Sequence, residues 1–322
     1  MLLSVLAIVV GLVVLLWSAD RFVDGAAVMA RHYGMSSLLI GMLVIGFGTS
    51  APEIVVSGLA SWQGNPGLAL GNGFGSNIAN IALILGFTAI LSPITVHSDV
   101  LKKELPLLVL ATILVGYFMF DFQISRLDGF LMLLAFLVIM GYSIYKAKKK
   151  NNNDDFIAEV EAELAEKVMP IRNAFFWVVV GLILLTLSSR FLVWGAINVA
   201  EFFNVSDLVI GLTIIALGTS LPELAASISA VRKSEHDLAI GNVIGSNLFN
   251  TLVVIGLAGA IHPMTVESHV LYRDWVIMSS LTLSLFVLGY GILGRRRINR
   301  IEGGLLALCY SIYNAYLYFS FV

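Results

Sequence analysis

Two glutamates stand where the chain around them is built of apolar residues. Glu53 lies in GTSAPEIVVSGLAS (48–61) and Glu223 in GTSLPELAASISA (218–230), each directly after a proline. Each is the one charged residue of its run. A carboxylate at the centre of a membrane helix costs about 2.5–3.5 kcal/mol on insertion scales, so it reads first as functional. A protonated glutamate hydrogen-bonded in a core is the plain alternative, and its recurrence beside matched prolines argues against it. Thr49, Ser50, Thr219 and Ser220 add four hydroxyls next to the acids. Proline has no N–H and crowds the carbonyl four residues back, so Pro52 should free the Gly48 carbonyl and Pro222 that of Gly218. Both helices are expected to break there, with bare carbonyls near mid-membrane, which is tolerated only where backbone lines a cavity or meets a ligand.

The following segments supply amides. Asn72, Ser76 and Asn80 recur every four residues and form one polar stripe, as do Asn242, Ser246 and Asn250, with Asn77 and Asn247 alongside. Such residues also glue helices together in lipid, and for Asn77 and Asn247 glue and ligand weigh equally. All these donors are hard oxygens. Calcium takes six to eight of them in flexible geometry, whereas softer metals prefer nitrogen or sulfur. The histidines, His32, His97, His236, His262 and His269, fall near span ends, which disfavours a zinc site.

The elements that must position these groups are membrane helices. The 322-residue chain is 58% hydrophobic and 12% charged, against about a quarter charged in soluble domains. Its mean hydropathy is +0.92. Apolar runs place ten spans, near 2–22, 35–61, 67–96, 104–122, 128–146, 172–194, 207–231, 237–263, 274–294 and 302–321. The second, third, seventh and eighth are rich in glycine and polar residues and should lie inside the bundle. The first run has no basic leader and reads as a span, not a cleaved signal. Every Lys and Arg except Arg126, Arg190 and Arg273 follows an odd-numbered span. Both termini are therefore expected outside and the linker 147–171 in the cytoplasm, at the plasma membrane or the inner membrane of a Gram-negative cell. The single cysteine, Cys309, excludes a disulfide framework.

A shift of 170 residues superposes the halves: Gly41 on Gly211, Thr49 on Thr219, Glu53 on Glu223, GSNIAN (75–80) on GSNLFN (245–250) and Pro93 on Pro263. Well over a third of positions 41–80 are identical to their counterparts. With five spans in each half, the second must enter the membrane from the opposite side. The expected fold is an all-α integral membrane protein with ten transmembrane helices in two inverted-topology repeats of five, 1–146 and 172–322. Inverted halves around one site are the architecture of many secondary transporters.

These paired motifs, GTSxPE and GSNxxN, resemble the cation/calcium antiporter superfamily, closest to compact prokaryotic sodium/calcium exchangers related to the potassium-dependent type. The resemblance implies a core of spans 2, 3, 7 and 8, with long tilted spans 1 and 6 sliding across it. It implies that Glu53 and Glu223 bridge calcium and help bind sodium. Thr49 and Thr219 would give backbone carbonyls, and Ser50, Ser76, Ser220 and Ser246 oxygens for sodium. Asn80 and Asn250 would sit at the midplane, with Asn77 and Asn247 beside them. Some relatives carry aspartate at the position of Asn250, so here the site holds only two fixed negative charges.

Two carboxylates make the cavity neutral with one Ca²⁺ or two Na⁺, and shared oxygens make full loads of both compete. A third Na⁺ would couple exchange to voltage, at about 2.3 kcal/mol per charge per 100 mV. The expectation is an electrogenic Na⁺/Ca²⁺ antiporter that extrudes Ca²⁺ by alternating access. H⁺/Ca²⁺ exchange and K⁺-dependent exchange remain alternatives, and a cation channel ranks below them. Protons should compete, so activity should fall at low pH. Neither an enzyme, nor a resident cofactor, nor a nucleic-acid or obligatory protein partner is expected; Ca²⁺, Na⁺ and the lipid bilayer are the partners. In the linker, Phe156, Val160, Leu164 and Val168 could line a surface helix, or the segment is a solvated connector.

Overall fold

A computed structural model describes residues 1–98, 100–150, 169–203, 216–290 and 296–321. Helix α1 spans Leu2–His32. After a turn closed by Gly34 (φ 60°), the Ser36 hydroxyl accepts the Leu39 N–H and caps α2, Ser37–Trp62. A wide π-helical stretch, Gly41–Gly46, lies inside α2. Pro66, whose absent N–H costs nothing at a helix start, opens α3, Pro66–Leu91, which widens at Ala79–Leu85. Strand β1 (Ile94–Thr95) leads to α4, a wide turn Val100–Glu104 followed by Leu105–Phe118. Then come β2 (Gln123–Ile124) and α5 (Arg126–Lys150).

The second half runs α6 (Ile171–Phe202), the short α7 (Ala216–Thr219), α8 (Leu221–Arg232) and α9 (His236–Ile261, widened at Phe249–Val254). Strand β3 (Met264–Thr265), α10 (Val270–Tyr290), β4 (Arg297–Ile298) and α11 (Arg300–Phe321) complete it. Among the described residues, seven helices are long and apolar enough to cross a membrane: α1, α2, α3, α5, α6, α9 and α10. The two-residue strands, which the helical pattern did not announce, pair crosswise. β1 meets β4 through Ile94↔Ile298, and β2 meets β3 through Ile124↔Met264. The helices that follow β2 and β4 start alike: Asp128 accepts the Ser125 N–H at 2.8 Å and Glu302 the Asn299 N–H at 2.8 Å.

Layering follows composition. In their most apolar windows α3 is 72% buried and α9 78%, whereas α1, α5 and α6 are each 28% buried, which puts the glycine-rich helices inside as expected. Ile40, Met42, Ile45, Ile78, Ile81 and Ile84 are fully enclosed. Without a hydrophobic drive between helices in lipid, close backbone approach carries the packing. At Gly245 a β-carbon would lie 2.5 Å from the Met42 carbonyl oxygen, so α9 and α2 touch backbone to backbone. Gly25 against the Ala174 carbonyl and Gly195 against that of Ser4 do the same along the antiparallel pair α1 and α6.

Two spans are longer than their apolar runs. The sequence ends spans 1 and 6 at 22 and 194, yet α1 reaches His32 and α6 reaches Phe202. In α1 the charges at Asp20 and Asp24 bond to α8, and Gly25, Ala26, Ala27 and Ala30 are buried, so the helix continues beyond its oily part. The surface helix suggested for Phe156 to Val168 lies outside the described residues, as does 207–215 of the seventh span.

Candidate functional site

Glu53 sits on α2 and Glu223 on α8, and each is only 3% exposed. The prolines act differently in the two halves. The expected break at Pro52 does not occur: α2 runs through it to Trp62. A proline removes one ladder bond, and a packed neighbour-rich helix absorbs that as a bend. At Pro222 the break is present, with Ser220 out of helical geometry (φ −91°, ψ 2°) between α7 and α8. Nor is the Gly218 carbonyl left bare, because the Ser189 hydroxyl of α6 donates to it at 2.8 Å.

The two carboxylates converge. Glu223 lies within electrostatic reach of Glu53 and of the hydroxyls of Thr49 and Ser50, and Asn242 bonds both the Glu223 carbonyl and the Thr49 hydroxyl, so the two acidic motifs of α8 and α2 lie side by side. Bonds between the halves hold this arrangement. The Thr49 hydroxyl donates to Ile45 O at 2.9 Å and to Asn242 Oδ1 at 3.2 Å. Asn80 Nδ2 donates to Asn247 Oδ1 at 3.0 Å. Asn77 Nδ2 donates to Thr251 Oγ1 at 2.7 Å and contacts Met278 Sδ at 3.1 Å, tying α3 to α9 and α10. Ser246 Oγ makes a long 3.5 Å contact with Gly46 O, and Ser76 Oγ a similar one with Asn72 Oδ1. Ser50, Ser220 and Asn250 are also buried, while Thr219 is exposed.

Several enclosed polar atoms have no hydrogen-bond partner among the described residues: Glu53 Oε2, Glu223 Oε2, Ser50 Oγ, Asn77 Oδ1 and Asn250 Oδ1. All five are oxygens. Buried oxygens without donors are costly unless something else satisfies them, and a hard cation does so. The donor set therefore suits Ca²⁺ or Na⁺ as a bound substrate. Asn247 differs: its Nδ2 is the unpartnered atom and its oxygen already accepts from Asn80, so it stands as a bridge between helices.

Two residues of the polar stripes do more than the sequence reading gave them. Asn72 Nδ2 donates to Glu53 O at 3.4 Å and Ser57 Oγ at 2.9 Å. Asn242 Nδ2 donates to Glu223 O at 3.1 Å and Ser227 Oγ at 2.9 Å. The signal was the shared spacing from acid to amide in both halves, which repeats with the motif. At one end of the bundle a further cluster joins α1 to α8. Lys233 Nζ bonds Asp24 Oδ1 and Asp20 O, each at 2.6 Å, Ser229 Oγ bonds Asp20 Oδ1 at 2.6 Å, and Arg31 lies 3.7 Å from Glu235. Nearby, His97 meets Asp237 at 2.7 Å on the exposed surface.

A family model described as sodium/calcium exchanger protein matches residues 3–145 and 173–319. The chain is 43% identical over 281 residues to the inner membrane protein YrbG of Escherichia coli, covering 86% of each chain. It is 29% identical over 348 residues to the sodium/calcium exchanger MaX1 of Methanosarcina acetivorans, covering 98% of each. Among solved structures, the sodium-calcium exchanger NCX_Mj soaked with zero Na⁺ and Ca²⁺ superposes with a TM-score of 0.83 at 31% identity, over 98% of this chain and 99% of that one.

Proposed function

The chain belongs to the sodium/calcium exchanger protein family and is a membrane antiporter of the Na⁺/Ca²⁺-exchanger type, and from that premise we propose that it extrudes Ca²⁺ electrogenically against Na⁺ by alternating access. Its cargo binds between Glu53 and Glu223. The observation that carries this reading is the pair of enclosed glutamates brought together among buried oxygens that no protein donor satisfies.

In the proposed cycle the two carboxylates balance one Ca²⁺ or two Na⁺. Ser50, Ser76, Ser220, Ser246, Asn77, Asn80 and Asn250 supply neutral oxygens, Thr49 and Thr219 give backbone carbonyls, and Asn247 holds Asn80 in place. Since both loads need the same two charges, loading one releases the other, and exchange follows without a separate coupling device. A third Na⁺ would carry the net charge that makes the cycle sense voltage.

The proposed architecture is ten spans in two inverted repeats, 1–146 and 172–322, joined by a cytoplasmic linker 147–171 with both termini outside. Crosswise pairing supports it: β1 with β4, and β2 with β3. Gly86 of α3 meets Gly303 of α11, and Gly256 of α9 meets Gly129 of α5, as a two-fold relation requires. The glycine-lined pair α1 and α6 would move as one body across the buried core.

The test is Ca²⁺ flux in proteoliposomes with Na⁺, K⁺ and pH gradients imposed one at a time. An outward Na⁺ gradient alone should drive Ca²⁺ uptake, and a K⁺-diffusion potential should change its rate. Uptake that follows a pH gradient and ignores Na⁺ would replace this reading with H⁺/Ca²⁺ exchange.

A further inference from the structure

We propose that Asn72 and Asn242 are positioning residues of the cation site: each side-chain amide clamps the helical turn that follows a cation-binding glutamate and so fixes where its carboxylate points. This rests on the reading that Glu53 and Glu223 hold the cargo.

The turn in question is poorly held from one side. Pro52 and Pro222 lack the N–H that would tie each glutamate's helix to the turn before it. On the other side, the glutamate carbonyl and the serine four residues later share one turn of helix. Asn72 Nδ2 bonds both, Glu53 O at 3.4 Å and Ser57 Oγ at 2.9 Å. Asn242 Nδ2 bonds Glu223 O at 3.1 Å and Ser227 Oγ at 2.9 Å. The amide thus fixes from outside the turn that follows each glutamate, whereas the proline leaves the acid without a ladder bond to the turn before it. It comes in each case from the neighbouring helix of the same half, α3 onto α2 and α9 onto α8.

General helix glue would account for one such bond, since amides hold membrane helices together at about 0.6 kcal/mol each. It does not account for both copies choosing the carbonyl of the acidic residue itself. Nor does it account for Asn242 Oδ1, which accepts the Thr49 hydroxyl at 3.2 Å. Asn242 therefore touches one glutamate's backbone with its nitrogen and the other half's Gly-Thr-Ser motif with its oxygen, and it sets the two halves of the cage relative to one another.

The experiment is Na⁺-driven Ca²⁺ flux by the full chain in proteoliposomes, normalised to the monodisperse fraction from size exclusion. Asn72→Ala and Asn242→Ala should each raise the apparent KM for Ca²⁺ about tenfold, equivalent to about 1.4 kcal/mol, with Vmax changed about twofold or less. Ser57→Ala and Ser227→Ala, which leave the bond to the glutamate carbonyl, should raise KM less. Adding Ser57→Ala to Asn72→Ala should raise it no further, because one clamp is removed once. An unchanged KM in Asn72→Ala and Asn242→Ala, with loss only of yield or heat stability, would make them glue and overturn the proposal. Should those two fail to fold, the serine variants decide: a raised KM supports the clamp, an unchanged one refutes it. Glu53→Gln and Glu223→Gln run in parallel. Normal transport in both removes the site reading itself, whereas loss in both beside unaltered asparagine variants removes only the clamp.

Discussion

Replacing Glu53 or Glu223 with glutamine keeps the size of the side chain and one oxygen ligand but takes away a charge. Both carboxylates are enclosed, 3% exposed, and each has an oxygen without a protein donor. In the proposed site two negative charges balance one Ca²⁺, so either substitution would leave a divalent ion with one unbalanced positive charge in a dry site. Removing one member of a buried charge pair costs about 3–5 kcal/mol. At about 1.4 kcal/mol per decade, Ca²⁺ affinity should fall by roughly two to three and a half orders of magnitude. Heat unfolding of the detergent-solubilised protein during Ca²⁺ titration measures this directly, since a ligand at about 100 times its Kd stabilises by about 2.7 kcal/mol. The variants should lose that stabilisation at Ca²⁺ concentrations that saturate the wild type. The same charge count sets the cation-free state: two buried like charges repel, so in chelator without Na⁺ at alkaline pH the glutamine variants should unfold at higher temperature than the wild type. A Ca²⁺ affinity within about tenfold of wild type in both variants, at the per-decade cost used above, would refute the assignment of the two charges to the cargo.

Adjacent glycines in α11 make a sharper test of packing. A β-carbon at Gly303 would lie 2.6 Å from the Gly86 carbonyl oxygen, while one at Gly304 meets nothing within 4 Å; Gly303→Ala should cost about 1–3 kcal/mol by overpacking and Gly304→Ala should be neutral or gain up to about 1 kcal/mol, read as unfolding temperatures in one detergent. At the α1 end, Lys233→Met removes both bonds to Asp20 and Asp24. Because these groups are partly exposed, the loss should be only about 0.5–1 kcal/mol. Hydrogen exchange of residues 26–32 should then speed up about two- to fivefold, the Boltzmann equivalent of that loss, and unchanged exchange would show that the cluster does not hold the helix end.

The buried core was legible because its signals are chemical: an acid beside a proline in oil, repeated, admits few readings, and the glycine-rich runs did turn out to be interior. What the residues could not announce was set by neighbours. Nothing in GTSAPE distinguishes a helix that continues through Pro52 from one that breaks, as GTSLPE does at Ser220. The difference depends on what packs around each motif. The ends of α1 and α6 were lost for a related reason, since Asp20, Arg21 and Asp24 end an apolar run although two of them have partners on α8. Gly64 and Ser234 show the reverse limit. They hold matching turns at φ 81° and 63°, and only the first carries the residue type that advertises such a turn.

Where the halves agree and where they differ divides the molecule into two kinds of part. Glutamate, proline, the asparagine clamp and its serine recur in both, so in the proposed inverted architecture the cage would be built of duplicated pieces that treat either side of the membrane alike. The attachments of the long helices do not recur. Asp20, Asp24, Ser229 and Lys233 bind α1 to α8, but the positions 170 residues away are Arg190, Trp194, Leu59 and Gln63, which offer no such ion pair. Ser189 of α6 takes the Gly218 carbonyl, and its counterpart on α1 is Ala19, with no hydroxyl to give. On the proposed reading, a cage of repeated residue types worked by helices that are fastened asymmetrically would have similar binding chemistry on its two faces but unequal energies for exposing them. In such a design substitutions in the cage change affinity from both sides together, whereas substitutions in the fastenings change which side the empty site faces.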